Sequence, residues 1–118
     1  MCYNNIMKTV FTNGCFDILH RGHLDYLKES AFWGERLIVG INSDSSVRKL
    51  KGSDRPINKE EDRKFALECL SFVDRVYIFD EPNPYELIKY IRPDIITKGG
   101  DYVPDNVIGN DLARIKII

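Results

Sequence analysis

Apolar positions along the chain fall into short runs and short stripes that alternate. "KTVFT" (Lys8–Thr12) is a β-branched and aromatic run and predicts a first strand. Leu24, Leu27 and Ala31 then recur at i, i+3 and i+7, one face of a helix, with Gly34 as its stop signal. "RLIVGIN" (Arg36–Asn42) is continuously apolar and predicts a second strand buried on both faces. Polar, basic and turn-rich residues follow from Ser43 to Asn58. Phe65, Ala66, Cys69, Leu70 and Val73 form the stripe of a second helix, and "RVYIF" (Arg75–Phe79) a third strand. Asn83 can cap the next helix, Pro84 suits its first position and Glu86 can close a capping box. Leu87, Ile88 and Ile91 give its buried face, and Pro93 ends it. "DIITK" (Asp94–Lys98) and "RIKII" (Arg114–Ile118) are the fourth and fifth strands.

Strands alternating with helices predict an α/β fold, a doubly wound parallel sheet with helices on both faces. Such sheets bind ligands beyond the carboxyl ends of their strands, at the switch point. Three polar clusters fall at those ends: Asn13–His23, Asn42–Arg55 and Lys98–Tyr102. Distant parts of the chain are therefore expected to converge on one rim.

Composition narrows the classes. The 118 residues predict one domain over 1–118, with 1–6 as a flexible lead-in. A formal net charge of -1 gives no global field to attract nucleic acid or a membrane. No apolar run approaches the ~20 residues of a membrane span, and the N-terminus has no signal-peptide pattern, which predicts a cytoplasmic protein. Cys2, Cys15 and Cys69 are odd in number and none lies in a C-x-x-C pair, against a disulfide framework or zinc knuckle. The apolar pattern around Cys69 predicts a small core residue, and Phe32 and Trp33 are read as local core packing.

The stretch "NGCFDILHRGHLDYL" (Asn13–Leu27) carries the candidate chemistry. His20, Gly22 and His23 lie at the start of the first helix, where free backbone N–H groups and the dipole favour anions. A spacing of three puts both imidazoles on one side of that turn. Gly22 lets a bulky ligand approach the backbone. Imidazole and helix N–H donors suit phosphate oxygens. Cys15, His20 and His23 lack a fourth partner for zinc. The histidines also have a plain alternative, as capping or core residues.

"TNGCFDILHRGH" resembles the signature of the H-x-G-H nucleotidyltransferases, in their cytidylyltransferase-like branch. "ERLIVGINSD", "LKGSDRPIN", "EEDR" and "ITKGGDY" look most like the heptose 1-phosphate adenylyltransferase family, including the C-terminal domain of the bifunctional ADP-heptose synthesis protein. The resemblance covers about residues 7–118. It implies a Rossmann-like, HUP-type fold and the use of ATP and Mg²⁺. The implied reaction is transfer of AMP to D-glycero-D-manno-heptose 1-phosphate, for lipopolysaccharide core synthesis. It also implies a homodimer acting on small molecules. Family members usually continue past the fifth strand into a Ser/Thr-rich turn and a last helix, and the sequence ends at Ile118.

Such a reaction needs charge neutralisation and positioning, since a phosphate monoester is mostly dianionic at pH 7. From Arg48 to Lys64 seven basic residues face four acidic ones. Lys49, Lys59 and Lys64 read as a solvated face. By resemblance, Lys51 and Arg55 hold phosphate groups and Arg63 faces the substrates. The first loop cradles the triphosphate with Asn13, Gly14, Cys15 and Phe16. Asp17 meets the acceptor or a metal-bound water, unless it is a turn or cap aspartate. His20 and His23 contact the α- and β-phosphates as charge stabilisers. Lys98 can reach a phosphate. Gly99 and Gly100 permit positive φ and a close approach to base or ribose, and Asp101 accepts from a hydroxyl or amino group, unless the segment is a tight turn. Asn42 and Asp44 help orient the sugar. No residue is assigned as a metal ligand. Two competing readings are an alcohol-phosphate cytidylyltransferase, such as one for glycerol 3-phosphate, and a non-catalytic nucleotide-binding module.

Overall fold

The computed structural model describes residues 7–118; the readings of Cys2 and of 1–6 as flexible lie outside it. In chain order the elements are β1 (Thr9–Gly14), α1 (Arg21–Phe32), β2 (Arg36–Asn42), α2 (Asp44–Lys51), α3 (Glu60–Glu68) and β3 (Arg75–Phe79). Then come α4 (Tyr85–Ile91), β4 (Ile95–Lys98), a 3-10 turn (Pro104–Asn106) and β5 (Arg114–Ile117). The five strands form one sheet in the order β3-β2-β1-β4-β5, every pairing parallel. After β3 the chain crosses to the far side of β1, so the switch point lies between β1 and β4.

Consecutive strand residues point to opposite faces, which is why the runs are apolar without alternation. Val10, Leu37, Val39 and Ile95 enter one core, shared with Leu27 of α1 and Leu67 of α3. Phe11, Ile38 and Ile96 enter the other, with Ile88 of α4 and Val107 beyond the 3-10 turn. The doubly wound architecture is thus as the sequence predicts. At the amino ends of the strands, carboxylates close the ladder: the Thr9 N–H donates to Asp94 and the Leu37 N–H to Asp74, each at 2.8 Å. That leaves the carboxyl ends free for a site.

Four local expectations change. Ser43–Asn58 contains α2, capped by Ser43, whose Oγ accepts from the Ser46 N–H at 3.2 Å, and ended at Gly52, φ 106°. Val47 is its only buried apolar residue, so the helix leaves no stripe to read. The stripe expected for the second helix is out of phase. Phe65 is 68% exposed and Cys69 is exposed, while Arg63 and Leu67 face inward. An arginine holds the position where periodicity looks for an apolar residue. Phe32 is 81% exposed rather than packed. In α4, Asn83 does accept from the Tyr85 N–H at 2.9 Å, but no capping box forms, and Glu86 sits 3.8 Å from Lys89. Among the described residues no helix is long and apolar enough to cross a membrane.

Candidate functional site

Beyond the carboxyl ends of β1, β2 and β4 lies a cleft of about 730 Å³. Its lining includes Asn13, Gly14, Cys15, Phe16 and Asp17 from the first loop, His23 of α1, and Asn42 at the end of β2. Lys51, Arg55, Lys98, Gly99 and Asp101 complete the predicted set, so three distant segments do converge. His20, Gly22, Asp44, Arg63 and Gly100 do not line it.

The first loop is bent sharply. Phe16 sits at φ 48°, a left-handed conformation that costs a bulky residue about 1 kcal/mol or more. Its ring is buried and meets the His23 ring edge-on at 5.5 Å. A Cβ on Gly14 would stand 3.0 Å from that ring, so glycine makes the room.

Arg63 locks the rim together. Its side chain has no exposed surface. Nε donates to the Asn58 carbonyl at 2.9 Å, Nη1 to the Cys15 and Asn42 carbonyls at 3.0 and 2.8 Å, and Nη2 to Asp44 Oδ1 at 2.8 Å. The expectation that Arg63 faces the substrates is corrected: it is a buried clamp across three rim segments. Asp44 is correspondingly its counter-ion, turned away from the cleft. Asn42 is buried, donating through Nδ2 to Ser46 Oγ at 3.0 Å and accepting from Cys15 Sγ at 3.6 Å.

Asp17 is a tether of the same kind. Its carboxylate accepts from the Ile57 and Asn58 N–H groups, both at 2.8 Å, with the Arg55 guanidinium 3.9 Å away. Burial pushes its carboxyl upward. The Asn58 and Ile57 N–H groups and the charges of Arg63 and Arg55 outweigh it and hold the group below the usual carboxylate range. Neither the turn nor the helix-cap alternative describes it, because its partners lie 40 and 41 residues along the chain.

The histidines cap α1 and each other. His20 Nδ1 accepts from the Gly22 N–H at 3.0 Å, and His23 Nδ1 accepts from the His20 N–H at 3.3 Å. Since both Nδ1 atoms accept, each neutral ring carries its proton on Nε2. The ring centroids stand 3.9 Å apart. Burial, the His20 charge and Lys51 lower the His23 pKa below 6.5 against the opposing Ile18 carbonyl, so this ring stays neutral near pH 7. Gly22 serves a different purpose from the one expected. A Cβ there would stand 2.9 Å from His20 Cε1, so glycine makes space for the capping ring.

Lys98 is a partly buried cation of the cleft. Burial lowers its pKa, Asp101 opposes this, and its Nζ stands 5.0 Å from the Tyr102 ring centre. Gly99 and Gly100 do not use positive φ; Gly52 and Gly109 are the described glycines that do. Ile18, Tyr26 and Tyr102 also line the cleft and were not singled out from the sequence. For Tyr26 the available signal was its place one turn after His23 on the same helix face.

A family model described as Cytidylyltransferase-like matches residues 11–116. The bifunctional protein HldE of Wolinella succinogenes is 57% identical over 112 residues, 94% of this chain and 24% of that protein. Its counterpart in Aliarcobacter butzleri is 58% identical over 112 residues, again 94% and 24%. The chain thus spans about a quarter of the length of the curated relatives it matches. The crystal structure of a lipopolysaccharide core biosynthesis protein from Thermoplasma volcanium superposes with TM-score 0.80 at 35% identity, covering 94% of this chain and 93% of that one. A pantothenate synthetase from Thermus thermophilus shares the fold, with TM-score 0.64 at 15% identity over 94% of this chain and 55% of its own.

Proposed function

The chain belongs to the cytidylyltransferase-like family and is a nucleotidyltransferase, and from that premise we propose that it transfers AMP from ATP to D-glycero-D-manno-heptose 1-phosphate. The products are ADP-heptose and pyrophosphate, used in bacterial surface polysaccharide synthesis. The observation that carries the reading is one cleft lined by Lys51 and Arg55 from one segment, Lys98 from another and His23 from a third. Two polyanions are what such a cleft suits.

In the proposed step an oxygen of the sugar phosphate forms a bond to the α-phosphorus. The bond from that phosphorus to the bridging oxygen breaks, and pyrophosphate leaves with the electron pair. The acceptor phosphate is already ionised, its second pKa being near 6, so no proton need be removed from it. The chain's work is to bring two anions together and to offset charge as it builds on the phosphoryl oxygens. His23 offers a neutral Nε2–H donor; Lys51 and Lys98 offer full charges. Arg55 shares its charge with Asp17. Backbone groups from Asn13 to Phe16 cradle the triphosphate, while Gly99 and Asp101 face the nucleoside. Among the described residues no cluster of three or more His, Cys, Asp or Glu is placed to hold a metal. Mg²⁺, when bound with the triphosphate, would supply further positive charge, and no described residue is assigned to hold it.

The test is pyrophosphate release from ATP, CTP, GTP and UTP, each with heptose 1-phosphate and with glycerol 3-phosphate. Turnover is expected with ATP and the heptose phosphate. Turnover confined to CTP and glycerol 3-phosphate overturns the assignment, and nucleotide binding without turnover in any pairing would mean a binding module.

A further inference from the structure

The backbone ladder between β1 and β4 is short, with two registered pairs, Val10 with Ile95 and Phe11 with Ile96. The next residues are Thr12 and Thr97, both fully buried, and here side chains take over from the backbone. Thr12 Oγ1 donates to the Thr97 carbonyl at 3.2 Å. Tyr26 reaches the same point from α1, its Oη 2.8 Å from Thr12 Oγ1 and 3.3 Å from Thr97 Oγ1. Ser30, one turn further along, stands 2.8 Å from Thr97 Oγ1. Thr12 and Tyr26 carry one hydroxyl proton each, so their three contacts share two protons: the 2.8 Å contact between them is made by whichever proton is not given to Thr97. Among the described residues none of these hydroxyls is a buried group without a partner. A fully satisfied buried network of this kind rigidifies what it joins.

What it joins is the cleft's two sides. Tyr26 follows His23 by one helical turn, and Thr97 directly precedes Lys98. We propose that Tyr26 is a positioning residue: its hydroxyl, through Thr12 and Thr97, fixes the spacing between His23 on α1 and Lys98 at the end of β4. This rests on the adenylyl-transfer reading above. A misplacement of about 1 Å between groups that must act on one phosphoryl centre costs up to ~10²-fold in rate.

The experiment uses Tyr26→Phe, Thr97→Val, Thr97→Ser and the Tyr26→Phe/Thr97→Val double variant in the full chain. The expected result is a kcat lowered about 10-fold or more for Tyr26→Phe and for Thr97→Val, with KM values within about threefold. Thr97→Ser, which keeps the hydroxyl, stays near the parent. The double variant is little worse than the poorer single one, because both cut the same tie. Loss of melting temperature with kcat unchanged overturns the proposal, and so does a Thr97→Ser variant as impaired as Thr97→Val. Amide hydrogen exchange needs no turnover and separates this proposal from the choice of substrates. Tyr26→Phe is expected to speed exchange about 10-fold at Thr12–Gly14 and Thr97–Gly99 while β3 and α4 keep parental rates. Uniform acceleration overturns it even if another substrate pair proves to be the right one.

Discussion

At the scale of single residues, Lys98 shows how the site opposes the fold. Partial burial lowers its pKa from 10.5, with Asp101 as the opposing influence. The unfolded chain then holds this proton more tightly than the folded one, so stability rises as pH climbs toward 10.5. Lys98→Met keeps the stem's volume and removes the partly buried charge. We expect a higher melting temperature at pH 7, a flatter rise toward alkaline pH, and ATP affinity weaker by about 10-fold or more, as for a lost hydrogen bond to a charged group. Thermal scans and calorimetry with ATP check both halves; unchanged affinity would remove Lys98 from the phosphate site. Asp17 titrates the other way. Its carboxyl lies below 3.8, so its contribution is whole above that value and is lost as pH falls through the folded pKa. Asp17→Asn should lower stability at pH 7 and flatten the acid limb below about pH 4, seen as denaturation midpoints that converge with the parent's in acid.

At the scale of elements, legibility depended on how many neighbours share a signal. The strands were readable because each core residue is followed by another serving the opposite face. α2 was hidden because a single buried valine gives no period. α3 was misphased because Arg63 holds a core position, and its acceptors lie 5 to 48 residues away in sequence. No local pattern announces an arginine turned inward. The cost of removing it should be large: Arg63→Met leaves Asp44 and three carbonyls without their donor and is expected to cost about 3–5 kcal/mol in chemical denaturation. Asp44→Asn, with a partly exposed partner lost and the carbonyl bonds kept, should cost less than half of that. The motif at the head of α1 was legible as a site but not in its division of labour. His20 caps the helix and stands off the cleft, whereas His23 lines it. His20→Asn should therefore keep the cap, and His20→Ala lose about 1 kcal/mol of stability, while His23→Ala lowers kcat about 10²-fold and keeps the bond from the Gly22 N–H to His20.

At the scale of the whole molecule, a net charge of -1 says that attraction for polyanions is local to the cleft and not a property of the surface. The rim was foreseeable from topology, since parallel strands whose order reverses beside β1 bring three loops to one edge. The hydroxyl tie beneath it was not, because Thr12, Tyr26, Ser30 and Thr97 read as ordinary strand and helix residues until the helix is laid on the sheet. The assembled cleft predicts a pH profile with no general base in it. Rate should rise as the acceptor phosphate ionises near pH 6, then stay level through pH 7, because no proton need pass to His23, whose pKa is lowered. It should fall again on the alkaline side at a pH below 10.5, as Lys98 loses its proton ahead of an ordinary lysine. Lys98→Met, slower throughout, should lack that alkaline fall. His23→Gln retains an N–H donor but cannot titrate, so its acid limb should coincide with the parent's. If the acid limb instead disappears with His23, the imidazole is accepting a proton in the reaction, and a cleft that only positions and neutralises is the wrong description of this molecule.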